Sequence, residues 1–317
     1  MSLTCRKLPL FDQLRCDTAW RVRHSAVFTL PAILSRLLPH ERRKLALETM
    51  ICLATDESAT VRLGALEVLG EVLYTFRADD EGVPTDLLNL FLGQKSDQDG
   101  LIGPGPDQNH FLDLFLQDPK RPLICAFNYP AIALALGRER WYDVRDLYLS
   151  LAVDVEFQVR RTLAASLGEL AKIIGEDNAQ RDLVQVWWNA IRSEDDEVRL
   201  KAVEVTGTFS AALGLHNGSS IVEGILTVWD EGVLKTWRER DCVAKSLVDL
   251  SQWGHQVIPL AICNLLARAL EDTVASVRES AVVAVSAILI IKSALLDSCS
   301  NHSFLLFRKS FLTNLIS

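Results

Sequence analysis

The chain has 317 residues, with 41 acidic and 33 basic side chains, a net charge of −8 and 49% hydrophobic residues. That is ample apolar material for a core, and the acidic balance argues against a broad nucleic-acid or anionic-membrane surface, which needs clustered positive charge. Seven scattered cysteines (Cys5, Cys16, Cys52, Cys125, Cys242, Cys263 and Cys299) are odd in number, so buried reduced thiols are expected rather than a disulfide framework.

Residues 1–16 read as an incomplete lead-in. They lack a clean apolar run before a small-residue cleavage site, which leads us to expect an intracellular protein, cytoplasmic and/or nuclear. The first full unit starts at Asp17, with Val22, Ala26, Leu30 and Ile33 on one face and Pro31 bending or ending the helix. Residues 39–54 supply an outer helix. Residues 56–73 (DESATVRLGALEVLGEVL) are the clearest unit, a turn followed by an amphipathic helix. There Val61, Ala65, Val68, Leu69, Val72 and Phe76 share one stripe.

The pair Val61-Arg62 recurs as Val22-Arg23, Val159-Arg160, Val198-Arg199, Trp237-Arg238 and Val277-Arg278. The steps from 22 to 61, 159 to 198 and 198 to 237 are each 39 residues, and the step from 237 to 277 is 40. One such dipeptide means nothing, but a series near one fixed period marks stacked helix pairs, because a lone pair cannot bury both faces. The chain therefore reads as all-α, a single solenoid array over 1–317.

Residues 79–109 break the rhythm. They hold one short apolar piece, 86–92, then a Gly-, Pro-, Asp- and Gln-rich run at 93–109 that reads as an exposed, mobile insertion. Residues 118–136 are a disguised unit, with Leu123-Ile124 in the Val-Arg place, Pro119 and Pro122 at the helix start and Pro130 kinking it. The strongest array follows: 139–153 with 157–174, 178–191 with 198–213, 221–229 with 236–250, and 257–270 with 277–291. Gly175 is placed to stop its helix. In the third pair Asp241 stands where the others carry Ala65, Ala202 and Ala281. Residues 292–317 leave the pattern and form an atypical end.

An acid lies six residues before the arginine in Asp17/Arg23, Asp56/Arg62, Asp154/Arg160 and Asp272/Arg278. Placed in the turn before the helix, the carboxylate can meet orphan amides, and the arginine fork can reach the same or a neighbouring acid. We read Asp17, Arg23, Asp56, Arg62, Asp154, Arg160, Arg199, Arg238, Asp272 and Arg278 as a structural ladder along the seam between repeats. It is incomplete where Ser193 and Gly232 replace the acid. Trp187 and Trp188 are adjacent on one helix, so one of them should be partly exposed. The turn ridge is the expected partner surface, carried by Trp20, Arg21, Phe157, Gln158, Glu197, Thr236 and Trp237, with the 93–109 insertion as a second candidate.

Catalytic signatures are missing. Gly100 to Gly105 has no following lysine, no CxxC or His-Glu-x-x-His occurs, and the six histidines are spread without ligand spacing. No cofactor or metal is expected, and neither a nucleic-acid nor a membrane partner.

The period, the Asp-x5-Arg pairs and the two-helix units resemble HEAT/armadillo-type repeats. The strings TVRLGALEVLGEVLYTF (60–76), DPKRPLICAFNYPAIALALGRERW (118–141) and VRRTLAASLGELAKIIGEDNAQRDLVQVWWNAIRSEDDEVRLKAVE (159–204) resemble more specifically the family of regulatory subunit 1 of serine/threonine protein phosphatase 4. That resemblance extends over roughly residues 17–290. It implies a non-catalytic scaffold that binds a phosphatase catalytic subunit and protein substrates or further regulatory subunits. Family members are longer than this chain. A general adaptor of the nuclear-transport or assembly type is the alternative, separable by GTP-dependent binding.

Overall fold

The computed structural model describes residues 4–94, 106–251 and 260–297, so the expected features at 95–105 and 298–317 lie outside the described residues. The chain divides into two compact units, Met1–Asp154 and Val155–Ser317. Every regular element among the described residues is helical, and none of these helices is long and apolar enough to cross a membrane.

The first unit contains α1 (Thr4–Arg15), α2 (Trp20–Leu34), α3 (Pro39–Ala54), α4 (Ala59–Tyr74), α5 (Thr85–Leu92), α6 (Pro106–Leu116), α7 (Arg121–Leu136) and α8 (Tyr142–Leu151). The inner layer is α2 against α4 and α4 against α7; α3, α5 and α6 pack on the other side of α4. The stripe read from the sequence is the core of α4: Val61, Ala65, Val68, Leu69 and Val72, with Phe76 beyond its end, are all buried. Helices α2 and α7 run on through Pro31 and Pro130, each losing one backbone bond without ending the helix. Helix α6 begins inside the stretch expected to be an insertion.

The second unit contains α9 (Phe157–Ile174), α10 (Glu176–Asn178), α11 (Val184–Ile191), α12 (Asp196–Glu204), α13 (Thr206–Ala212), α14 (Gly214–Asp230), α15 (Trp237–Ser251), α16 (Leu260–Leu270) and α17 (Ala275–Asp297), with a π-helical turn, Ala179–Leu183, leading into α11. Its inner layer runs α9, α12 with α13, α15, α17; α11, α14 and α16 cover it. Gly175 ends α9 at φ 84°, where its N–H donates to the Ala171 carbonyl at 3.0 Å. Trp187 is fully buried while Trp188 is half-buried, as their adjacency on one helix requires.

One cysteine expectation is corrected. Cys125 and Cys263 are buried, but Cys16, in the turn after α1, and Cys52, off the Ala46, Met50 and Leu53 stripe of α3, are exposed. Burial pushes the Cys125 thiol up to about 11.

Neighbouring inner helices approach closely at a fixed position. Gly70 of α4 and Gly168 of α9 are each the twelfth residue of their helix. A Cβ on Gly70 would sit 2.4 Å from Asn128 Oδ1 of α7, and one on Gly168 2.1 Å from Thr208 Oγ1 and 2.9 Å from its Cβ in α13.

The arginines occupy another fixed position, the fourth helical residue. Each folds back onto the turn it has just left, donating to the carbonyls six and five residues before it. Arg23 reaches Asp17 and Thr18 at 2.9 and 3.1 Å, and Arg62 reaches Asp56 and Glu57 at 2.7 and 3.0 Å. Arg199 reaches Ser193 and Glu194 at 2.7 and 2.9 Å, and Arg278 reaches Asp272 and Thr273 at 2.7 and 3.0 Å. Arg160 reaches Val155 at 2.9 Å. These carbonyls close a turn outside both helices, so without the guanidinium they would lack partners.

The rest of the fork crosses to the next repeat. Arg23 grips Asp56 with Nε and Nη2 at 2.6 and 2.8 Å, Arg160 pairs with Asp195 at 2.5 Å, and Arg199 Nε pairs with Glu239 at 2.9 Å. The acid also tightens its own turn: Asp17 accepts from the Ala19 amide, Asp56 from Ser58, Asp118 from Lys120 and Asp272 from Val274, at 2.8 to 2.9 Å. Ser193 takes that role toward the Asp195 amide, which leaves the ion pair to Asp195.

Arg238 is not in this series; Arg240 is. Arg240 reaches the Leu234 and Lys235 carbonyls at 3.1 and 3.3 Å and pairs with Asp272. A strict 39-residue step selects the wrong arginine because this turn is two residues longer. Val243, which is buried, therefore takes the place we gave to Asp241. Leu234, not Gly232, stands six residues before the arginine.

The series is interrupted once in the first unit. Ile124 is the fourth residue of α7, where an arginine would stand. No described carboxylate pairs with Arg62, whose guanidinium instead lies 5.6 Å from the Phe111 ring. The cation missing at 124 is partly replaced by Arg121, a buried side chain that donates to the Leu90 and Phe91 carbonyls at 2.5 and 2.6 Å. Burial lowers its pKa from the ordinary value.

Three outcomes are expected. Gly168→Ala should destabilise the protein by about 1–3 kcal/mol in thermal melts, since overpacking against Thr208 outweighs the ~1 kcal/mol that alanine normally adds to a helix. Arg199→Ala should cost about 3–5 kcal/mol in urea unfolding because it leaves Glu239 buried and uncompensated, whereas Arg161→Ala, which breaks an exposed pair with Glu197, should cost under ~1 kcal/mol. The third concerns acid. Burial alone would raise the Asp272 carboxyl, but the Arg240 guanidinium and Val274 amide outweigh it and hold it below its ordinary value of 3.8. The unfolded chain then takes up this proton at higher pH than the folded one, so the contribution is whole above that value and lost as pH falls through the folded one. The stability gap between the parent and Asp272→Asn should accordingly shrink below about pH 4, as read from urea midpoints.

Candidate partner-binding surface

The expected partner residues cluster at the starts of inner helices. The sequence puts Trp20 and Phe157 in turns, but they are the first residues of α2 and α9. Trp20 is 40% exposed, with the Arg21 guanidinium 5.0 Å from its ring centroid. Trp237 opens α15 in the same way, also 40% exposed, with Arg238 at 4.8 Å. Each is an apolar plate backed by a cation at a helix N-terminus, a combination that suits recognition of a partner's aromatic or acidic group.

Trp20 and Arg21 belong to the first unit; the other five candidates belong to the second. There, α12 packs between α9 and α15. This sets Phe157 and Gln158, Glu197, and Trp237 at the leading ends of three consecutive inner helices. Phe157 is half-buried and Gln158 exposed. Glu197 is exposed and pairs with Arg161 of α9. The edge therefore carries both signs of charge, as the 3.9 Å pair Lys235–Glu194 also shows.

Thr236 has a structural role as well. Its Oγ1 accepts from the Glu239 amide at 3.3 Å, while its own N–H donates to Glu239 Oε2 at 2.8 Å. This reciprocal cap starts α15. The sequence carries the signal, Thr236 followed three residues later by Glu239, but the Trp237-Arg238 register obscured it. The same Glu239 carboxylate takes Arg199, so one buried acid both starts a helix and joins it to its neighbour.

Beyond Trp237 an open groove of about 600 Å³ lies between α15 and α17, lined by Trp237, Asp241, Lys245, Glu279, Ser280 and Val283. Asp241 is already satisfied, by Lys245 and by the Ser280 hydroxyl, both at 2.6 Å. No group of three histidine, cysteine or acidic side chains among the described residues converges as a metal site.

Residues 125–227 match the family model described as the protein phosphatase 4 regulatory subunit 1 middle domain. Serine/threonine-protein phosphatase 4 regulatory subunit 1 of Homo sapiens and that of Mus musculus are each 33% identical to the chain over 124 residues, 39% of this chain. The chain spans 13% of the length of these relatives. Among solved structures, a Kap121p mutant aligns over 93% of this chain and 35% of its own, with 15% identity and a TM-score of 0.49. A designed armadillo repeat protein aligns over 89% and 99%, with 13% identity and a TM-score of 0.34. The resemblance read from the sequence is thus borne out where the match lies: between α7 and α14, the chain is similar to the middle domain of protein phosphatase 4 regulatory subunit 1.

Proposed function

We propose that the chain is a non-catalytic regulatory scaffold of a serine/threonine phosphatase assembly of the phosphatase 4 type, acting in the cytoplasm and/or nucleus. It binds the catalytic subunit along the leading ends of α9, α12 and α15 and presents protein substrates or further regulatory subunits to it. The observation that carries this reading is the match of residues 125–227 to a domain whose relatives are named regulatory subunits. The half-buried Phe157 and the exposed Gln158 and Glu197 fall inside that stretch, and Trp237 follows it.

Physical chemistry supports a binding role. A stack of helix pairs spends its apolar residues between neighbours and leaves long polar edges outside. Such an edge supplies area and charge pattern, not a water-excluded reaction centre.

The test is retention of recombinant phosphatase 4 catalytic subunit on the immobilised full chain. Retention is expected, with about tenfold weaker affinity for Phe157→Ala/Trp237→Ala at unchanged circular dichroism. Failure to retain the catalytic subunit overturns the assignment, and unchanged affinity of the variant moves the surface elsewhere. Turnover of a phosphopeptide by the purified chain alone would refute the non-catalytic reading.

A further inference from the structure

The inner layer of the first unit carries an exposed face that the ladder and the phosphatase reading leave unused. On α2, Trp20, His24 and Phe28 stand one turn apart and stack edge-on, with ring centroids 6.5 and 5.0 Å apart. On α7, Leu123, Phe127 and Leu134 form a second apolar row, and Phe127 is 77% exposed. Helix α4 lies between the two rows. His24 and Phe28 lean over Gly64, where a Cβ would meet them at 3.1 and 3.5 Å, and Asn128 closes on Gly70 from the other side.

At about 100° per residue, the sector of α4 between Gly64 and Gly70 is occupied by Glu67 and Glu71. Both are exposed, and neither is in an ion pair with any described residue. They are a like-charge pair four residues apart, an arrangement that weakens an isolated helix. The face is thus two apolar rows with an acidic stripe between them that no described cation neutralises.

We infer that the outward face of α2, α4 and α7 is a docking surface for a basic amphipathic helix. Charge complementarity selects this occupant: lysine or arginine at a one-turn spacing would neutralise Glu67 and Glu71, while flanking apolar residues cover Phe28 and Phe127. An extended strand gains nothing here, since these helices offer no unpaired backbone edge. The surface does not rest on the phosphatase reading, because most of it precedes the matched residues.

The test is fluorescence anisotropy of a labelled amphipathic Leu/Lys helical peptide with the purified full chain, beside its Leu/Glu counterpart. Expected are saturable binding of the Lys peptide that weakens with salt, about tenfold loss for Glu67→Gln/Glu71→Gln and about thirtyfold loss for Phe127→Ala. Glu223→Gln, on α14, should bind as the parent does. These substitutions are at exposed positions, and unchanged circular dichroism verifies the fold. No binding, equal binding of the Leu/Glu peptide, or equal loss for Glu223→Gln overturns the proposal. Self-association abolished by Phe127→Ala, or co-sedimentation with phosphatidylserine vesicles abolished by it, would reassign the face to a second copy or a membrane and likewise overturn it.

Discussion

An arginine at the fourth position of α2, α4, α9, α12, α15 and α17 is the constraint on which the described architecture turns. Its guanidinium has more donors than one acceptor can use, and the structure divides them. One nitrogen closes the preceding turn through its carbonyls; in Arg23, Arg160, Arg199 and Arg240 the rest of the fork crosses to an acid of the next repeat. Helix start, turn shape and repeat spacing are thereby set by a single planar group. Lysine could not do this, because a point charge fixes neither the angle nor both partners at once.

The pairs differ in how deeply they are set. Arg199–Glu239 is nearly sealed from solvent, with side chains 3% and 0% exposed. The Glu239 carboxylate is therefore satisfied once more, by the Thr236 amide, while the Glu239 backbone N–H donates to the Thr236 hydroxyl. A buried carboxylate demands such completeness, whereas the exposed Arg161–Glu197 pair can form or break at little cost. The break at Ile124 is handled differently, with Arg121 buried against carbonyls of α5 and Phe115 rather than against an acid.

This economy explains where candidate binding surface is left over. Apolar residues facing neighbouring helices are consumed by stacking, and charges at the turns are consumed by the ladder. What remains falls outside both sets: the plates Trp20 and Trp237 with their stacked arginines, and the aromatic–acidic face of α2, α4 and α7. Both lie on rigid helices, so their geometry is held by the core rather than by loops.

Much was legible from the chain alone. The repeat period, the stripe through Val61 and Phe76, the stop at Gly175 and the divided fates of Trp187 and Trp188 all follow from spacing, because helical periodicity and stacking leave few alternatives. Register within a repeat was not. The 39-residue step favours Arg238, and only the two-residue longer turn before α15 selects Arg240. The destination of each fork was likewise hidden, since its own acid and the neighbouring one are both within reach in principle. Close approach at Gly70 and Gly168 shows in sequence only as two glycines that a helix should disfavour. Sequence determined that helices pair and repeat, because that depends on local periodicity. Tertiary structure decided which charges meet and which apolar faces stay bare, because those depend on what the next repeat brings within a few ångströms.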